Sequence, residues 1–233
     1  MIGIIGAMSI EVEGLLEKMN IDDIVTIGGM VFYTGEIAGK KAVAARCGVG
    51  KVHAAMCAQT MITSFPVTAV LNLGVAGAID NVLNIGDVVI SEDLVHHDMT
   101  TGTAGGPVGQ VPGLDVLAFT ADDKLAKSAI YAYNAVFEGS TGKVHHGRIA
   151  TGDQFIDIAE RKQWISENFR ALCVEMEGAA IGQVCYLNKI PFVAIRAISD
   201  KADGSAEMDF LEFVAQAAEN SSKIVVQMMG DIS

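Results

Sequence analysis

Positive charge is scarce in this sequence. Lys and Arg number 16 against 28 Asp and Glu, which leaves a net charge of −12. A general nucleic-acid binder needs a basic surface to displace counterions, so that class is excluded. The four cysteines (Cys47, Cys57, Cys173, Cys185) include no CxxC pair, which leaves zinc and redox motifs unsupported. They read instead as free thiols buried in a reducing compartment. No apolar run is long enough to cross a bilayer uncharged. The N-terminus, MIGIIGAM, lacks the basic n-region of a signal peptide and reads as a strand. A cytoplasmic protein is the expectation. Disorder is excluded too: 51% of the residues are hydrophobic and only 19% charged. With 233 residues, the chain can bury one sizeable core.

Apolar runs of strand length alternate with helical patterns. Residues 2–7, 67–73, 86–91, 144–151 and 192–198 read as strands. Helical patterns follow at 10–19 (with Ser9 as a candidate cap), after GVGK at 48–51, and at 122–137, 156–168, 177–187 and 209–229. Residues 26–46 alternate around TGEIAGKK, which suggests a hairpin. The implied fold is α/β: a single domain over residues 1–233, with a mostly parallel mixed sheet flanked by helices on both faces. Residues 96–113 form the one long Gly/Pro/Thr stretch, and loops of that length are commonly functional. No linker or repeat divides the chain.

Several charges stand in segments that read as core. VEMEGAA places Glu175 and Glu177 in an apolar run, and PFVAIRAISD buries Arg196 and ends on Ser199–Asp200. Buried carboxylates are costly unless something pairs with them. In open α/β sheets ligands gather at the carboxyl ends of strands, and the polar punctuation falls there. Each feature also has a plain structural reading. Glu11 and Glu13 complement a helix dipole. Asp200 caps a helix. Glu175 and Glu177 form salt bridges. GVGK lacks the spacing and the hydroxyl of a phosphate loop. The pairs His96–His97 and His145–His146 would point to opposite faces of a strand, so neither suits a metal.

Taken together and in order, IGIIGAMSIEVE, NLGVAGAI, TGDQFI, VEMEGAAIGQVC and PFVAIRAISD resemble the 5′-methylthioadenosine/S-adenosylhomocysteine nucleosidases of the nucleoside phosphorylase superfamily. The likeness spans nearly the whole chain. It implies Asp200 as general acid at adenine N7, with Ser199 orienting it, and Glu11 handling the nucleophilic water. It places Glu177 on the ribose hydroxyls with Glu175 beside it, Met176 against the sugar, and Phe155 stacked on adenine. The Ile156 backbone would read the purine edge. Met8, Val49 and Phe210 would line the 5′-substituent pocket, with Ala76 and Gly77 in the binding loop and Arg196 supporting the site's base. No cofactor or metal is implied. The expected partner is a small nucleoside, and the expected assembly a homodimer whose 96–113 loop lies near the neighbour's site. Two departures stand out. Val75 occupies a position where many members have Ser, and the loop after Asp98 carries no aromatic before Phe119. The rival readings are a phosphorylase on the same fold, a non-catalytic nucleoside binder, and a hydrolase for aminodeoxyfutalosine or 5′-deoxyadenosine.

Overall fold

A computed structural model describes residues 1–102 and 106–231. Part of the predicted 96–113 loop, residues 103–105, lies outside the described residues. The elements run β1 (Ile2–Gly6), α1 (Ser9–Leu16), β2 (Met19–Ile27), β3 (Met30–Ile37), β4 (Lys40–Arg46), α2 (Lys51–Ser64), β5 (Ala69–Ala78), β6 (Val88–His96), β7 (Phe119–Thr120), α3 (Asp123–Val136), β8 (Val144–Thr151), α4 (Ala159–Phe169), β9 (Cys173–Glu175), α5 (Gly178–Asn188), β10 (Phe192–Asp200) and α6 (Ala206–Asp231). All ten strands join one mixed sheet, ordered β10-β6-β8-β9-β5-β1-β4-β3-β2, with β7 on β6. Because β10 also pairs with β5, the segment β5, β10, β6, β8, β9 closes on itself.

Strands at the centre are apolar along their whole length because both faces are covered. Every residue of β10 is buried, and all of β5 except Val75. On one face β5 and β10 pack with α2 and α5 around Met61, Cys57, Ile181 and Cys185. On the other, Leu71, Leu73, Val193 and Ile195 meet α1, α3 and α6 through Leu15, Ala129, Ile224 and Met228. All four cysteines are buried free thiols. Among the described residues no helix is long and apolar enough to cross a membrane.

Two local expectations are corrected. The first helix ends at Leu16, and Met19 opens strand β2. That strand is a solvent-facing edge, and its apolar residues therefore carry little of the period-2 signal that marks a half-buried strand. Asp22 and Asp23 on it are the kind of charge that keeps an edge from pairing with another chain. Ser9 is the first residue of α1 and not its cap. Met8 holds the cap position, and Glu11 reaches back to the Met8 N–H at 2.9 Å. The hairpin around Ala38–Gly39 is present, with both residues at positive φ, and pairs β3 with β4.

Gly35 marks a close approach. It faces the irregularity between Ile21 and Asp23 in β2, and a Cβ there would lie 2.0 Å from the Asn20 carbonyl oxygen. A backbone atom cannot yield as a side chain does. Gly35→Ala is therefore expected to destabilise the protein by about 1–3 kcal/mol. The measurement is a urea titration, with a lower midpoint at unchanged slope.

Candidate active site

One cavity of about 200 Å³ gathers segments far apart in sequence. Ala7, Met8 and Glu11 come from the β1–α1 turn and Val49 from the loop after β4. Val75, Ala76 and Gly77 come from the end of β5, and Gln154, Phe155 and Ile156 from the loop after β8. Val174 to Glu177 span β9 and the start of α5, Ser199 and Asp200 end β10, and Phe210 projects from α6. Every predicted site residue lies on this wall except Arg196. Ala7, Val75, Gln154 and Val174 belong to it as well, though nothing in their types marks them as site residues.

Arg196 lies behind the wall, 1% exposed. Its Nη2 donates to Glu175 Oε2 at 2.6 Å and to Asn72 Oδ1, and its Nη1 donates to the Asn72 carbonyl. Glu175 touches the cavity, yet its oxygens are committed elsewhere. Oε1 accepts from the Thr151 hydroxyl, and Oε2 accepts from the N–H groups of Glu177 and Gly178 as well as from Arg196. These contacts make the pair a platform beneath the site and leave it little capacity to grip a ligand.

Three carboxylates stand on or beside that platform. Glu11 Oε2 accepts from the N–H groups of Ala7 (2.7 Å) and Met8 (2.9 Å), and Oε1 from Val75 N–H (3.1 Å). Gly74 makes room for it, since a Cβ there would sit 2.7 Å from Oε1. Burial raises the Glu11 pKa, against the opposing pull of Arg196 and the three N–H donors. Glu177 accepts from Gly50 N–H at 2.8 Å. Burial and the neighbouring Glu175 push its pKa up to about 8. Asp200 lies within β10 and not at a helix start. Its Oδ2 accepts from Ser199 Oγ and its Oδ1 from Ala202 N–H, both at 2.9 Å. Burial raises its pKa, and Asp209 and Asp203 add to the rise. At Gly77 a Cβ would lie 2.6 Å from Asp200 Oδ1.

The rest of the wall is apolar. Phe155, 47% exposed, meets Phe210 edge-on with ring centroids 5.8 Å apart, a flat aromatic face at the mouth. Among the described residues no lysine, arginine or histidine lines the cavity. Among the described residues no group of three or more His, Cys, Asp or Glu could hold a metal ion. The GVGK loop is no phosphate cradle: its Gly50 N–H is directed at a carboxylate. Burying several acids around one apolar cavity, with their pKa values raised, is the pattern of a site shaped for chemistry.

A family model described as the phosphorylase superfamily matches residues 1–229. A 5′-methylthioadenosine/S-adenosylhomocysteine nucleosidase from Staphylococcus carnosus is 41% identical over 98% of this chain and 99% of its own. The chain belongs to the 5′-methylthioadenosine/S-adenosylhomocysteine nucleosidase family. The nucleosidase of Neisseria meningitidis, solved with methylthio-immucillin-A, superposes with a TM-score of 0.93 at 40% identity, covering 99% of each chain. Futalosine hydrolase of Helicobacter pylori is similar too, with a TM-score of 0.92 and 34% identity over 99% of this chain and 97% of its own.

The raised Glu177 pKa has a consequence for the free protein. Between its ordinary value of 4.5 and about 8, the native state binds a proton that the unfolded chain has released. Stability therefore falls as pH rises through that window. Glu177→Gln removes this contribution. The variant is expected to melt at a higher temperature than the parent at pH 8, with the margin shrinking towards pH 5. Thermal scans at the two pH values provide the check.

Proposed function

We propose that this nucleosidase-family protein hydrolyses the N-glycosidic bond of 5′-methylthioadenosine and S-adenosylhomocysteine, and of 5′-deoxyadenosine, releasing adenine and the 5-substituted ribose. The observation that carries the reading is the convergence of Glu11, Glu177 and Asp200 on one otherwise apolar cavity. Adenine leaves poorly as an anion, so its N7 must receive a proton. Asp200, with its raised pKa and Ser199 beside it, is the donor. As the bond breaks, the ribosyl ring gains oxocarbenium character, which nearby carboxylates stabilise. Glu177 accepts hydrogen bonds from the ribose hydroxyls. Glu11, fixed by three N–H donors, positions a water and takes its proton as the oxygen bonds to the anomeric carbon. Phe155 stacks on the purine, the Ile156 backbone reads its edge, and Met176 packs on the sugar. Met8, Val49 and Phe210 receive the 5′ substituent.

The same wall disfavours a phosphorylase. Phosphate needs cationic or donor-rich ligands. Here it would face carboxylates with no cation on the wall, and the Val75 side chain offers no hydroxyl. A non-catalytic binder would have no use for an acid at N7. A second substrate class, aminodeoxyfutalosine, draws support from the likeness to futalosine hydrolase and from Val49, which is half exposed at the 5′ end.

We also read the protein as a cytoplasmic homodimer acting in methionine salvage, with the 96–113 loop near the partner's site. Exposed Val49, Val52 and Met56 beside the cavity, and Tyr186 and Leu187 on the adjoining α5, support a face that a second copy covers.

Adenine release from methylthioadenosine is expected without phosphate and unchanged by its addition, with free methylthioribose as product. A sugar 1-phosphate as main product would reassign the protein to the phosphorylases. Asp200→Asn is expected to fold and to bind a nucleoside analogue while turnover falls about 10²–10⁴-fold. The wild-type rate should decline as pH rises through the raised Asp200 pKa, because only the protonated acid can deliver its proton. A 7-deaza substrate should bind and resist cleavage.

A further inference from the structure

Lys51, Asp98 and Asp153 close a small ring outside the cavity. The Lys51 ammonium donates to Asp98 Oδ1 at 2.6 Å, with the two side chains 19% and 17% exposed. Asp98 Oδ2 accepts the Asp153 N–H at 3.0 Å. Asp153 Oδ1 accepts the Lys51 N–H at 2.8 Å and so returns to the start. Two members of the ring adjoin groups of the site. Gly50, one residue before Lys51, donates its N–H to Glu177 Oε1 from a backbone held at φ 97°. Gln154, Phe155 and Ile156 follow Asp153 along the wall. The Lys51–Asp98 pair within it is mostly shielded from solvent, and a charge-assisted contact of that kind holds its members more tightly than a fully exposed ion pair does.

We propose that Lys51 and Asp98 are positioning residues: the ring they close fixes the Gly50 N–H on Glu177 and sets the wall at Phe155. The inference rests on the reading of Glu177 as the group that holds the ribose. Neither Lys51 nor Asp98 lines the cavity, so both act through other residues. Loosening the ring lets the Gly50 N–H drift from the carboxylate. Two consequences follow, one seen in the reaction and one in the free protein.

Lys51→Met and Asp98→Ala break the ring from opposite ends, and Asp98→Asn does so with the least change of shape. A misplacement of order 1 Å in a positioning group costs about 10²-fold, so kcat/KM for methylthioadenosine is expected to fall by about 10- to 100-fold in each. Lys51→Arg, which keeps the charge, should recover most of the loss. In a Glu177→Gln background, Lys51→Met should add little, because groups acting through one another are not additive.

The second readout needs no substrate. Carbon-13 NMR of the free protein follows the titration of Glu177, whose charged neighbours are Glu175, Arg196 and Glu11. Its midpoint should rise in Lys51→Met and stay put in Lys51→Arg, since the Gly50 N–H stabilises the ionised form. An unchanged midpoint, or losses that multiply in the double variant, would overturn the proposal. A wild-type protein that releases no adenine would refute the proposed reaction instead, and the NMR titration would still decide the role of the ring.

Discussion

Glu175 and Arg196 form an ion pair that solvent barely reaches, and the site depends on it. Taking two such charges out of water is costly, and their attraction offsets that cost only when the remaining lone pairs and protons are also satisfied. Here nearly all are. From Ile5 in β1 the contacts run through Asn72 in β5 to Arg196 in β10, then to Glu175 in β9 and Thr151 in β8. The Thr151 oxygen accepts the Ala179 N–H at the start of α5. One polar chain thus crosses five strands and fixes the N-terminal turn of a helix. Within the ion pair itself, Arg196 Nε has no hydrogen-bond partner. Removing either charge would strand the other where water cannot solvate it.

That platform explains how three acids can share one cavity. The positive charge of Arg196 lowers the pKa of Glu11 and of Glu177, so burial raises them less than it otherwise would. Asp200 stands apart from it. No arginine or lysine appears among the main influences on its pKa, and its neighbours Asp203 and Asp209 push upward. All three acids are thus raised above their ordinary values by burial, Glu177 up to about 8, and they differ in which neighbouring charges oppose or add to that rise.

Much of this was legible in the sequence, for identifiable reasons. The strands β8 and β10 and the helices α2, α3 and α5 carry apolar patterns that burial on one or both faces enforces, and they were placed within a residue or two. The edge strand β2 was not, because an exposed strand needs no apolar face. The three-residue β9 is too short to show a period. The acids were found because charge in an apolar run needs a cause. Arg196 shows where that argument stops. Its type and burial marked it as important, but only the three-dimensional contacts separate a residue behind the wall from one on it. The Lys51–Asp98–Asp153 ring left no signal, since its members are ordinary polar residues, one at the start of α2 and two in separate loops, that meet only in the fold.

Val75 joins the fold to the choice of nucleophile. Its backbone N–H is one of the three that fix Glu11, while its side chain packs beside the face covered by α1, α3 and α6. Any residue other than proline supplies the N–H, so the placement of Glu11 does not depend on a hydroxyl at this position. What the valine changes is the surface beside the carboxylate, which it makes apolar and unable to donate a hydrogen bond. A neutral water bound to Glu11 tolerates such a neighbour, because the carboxylate accepts one of its protons and the second oxygen lone pair is free to attack. A phosphate dianion does not, since it would sit against the Glu11 charge with no donor to compensate. Under the proposed reaction, the valine thus leaves the acid in place and favours water over phosphate as the nucleophile.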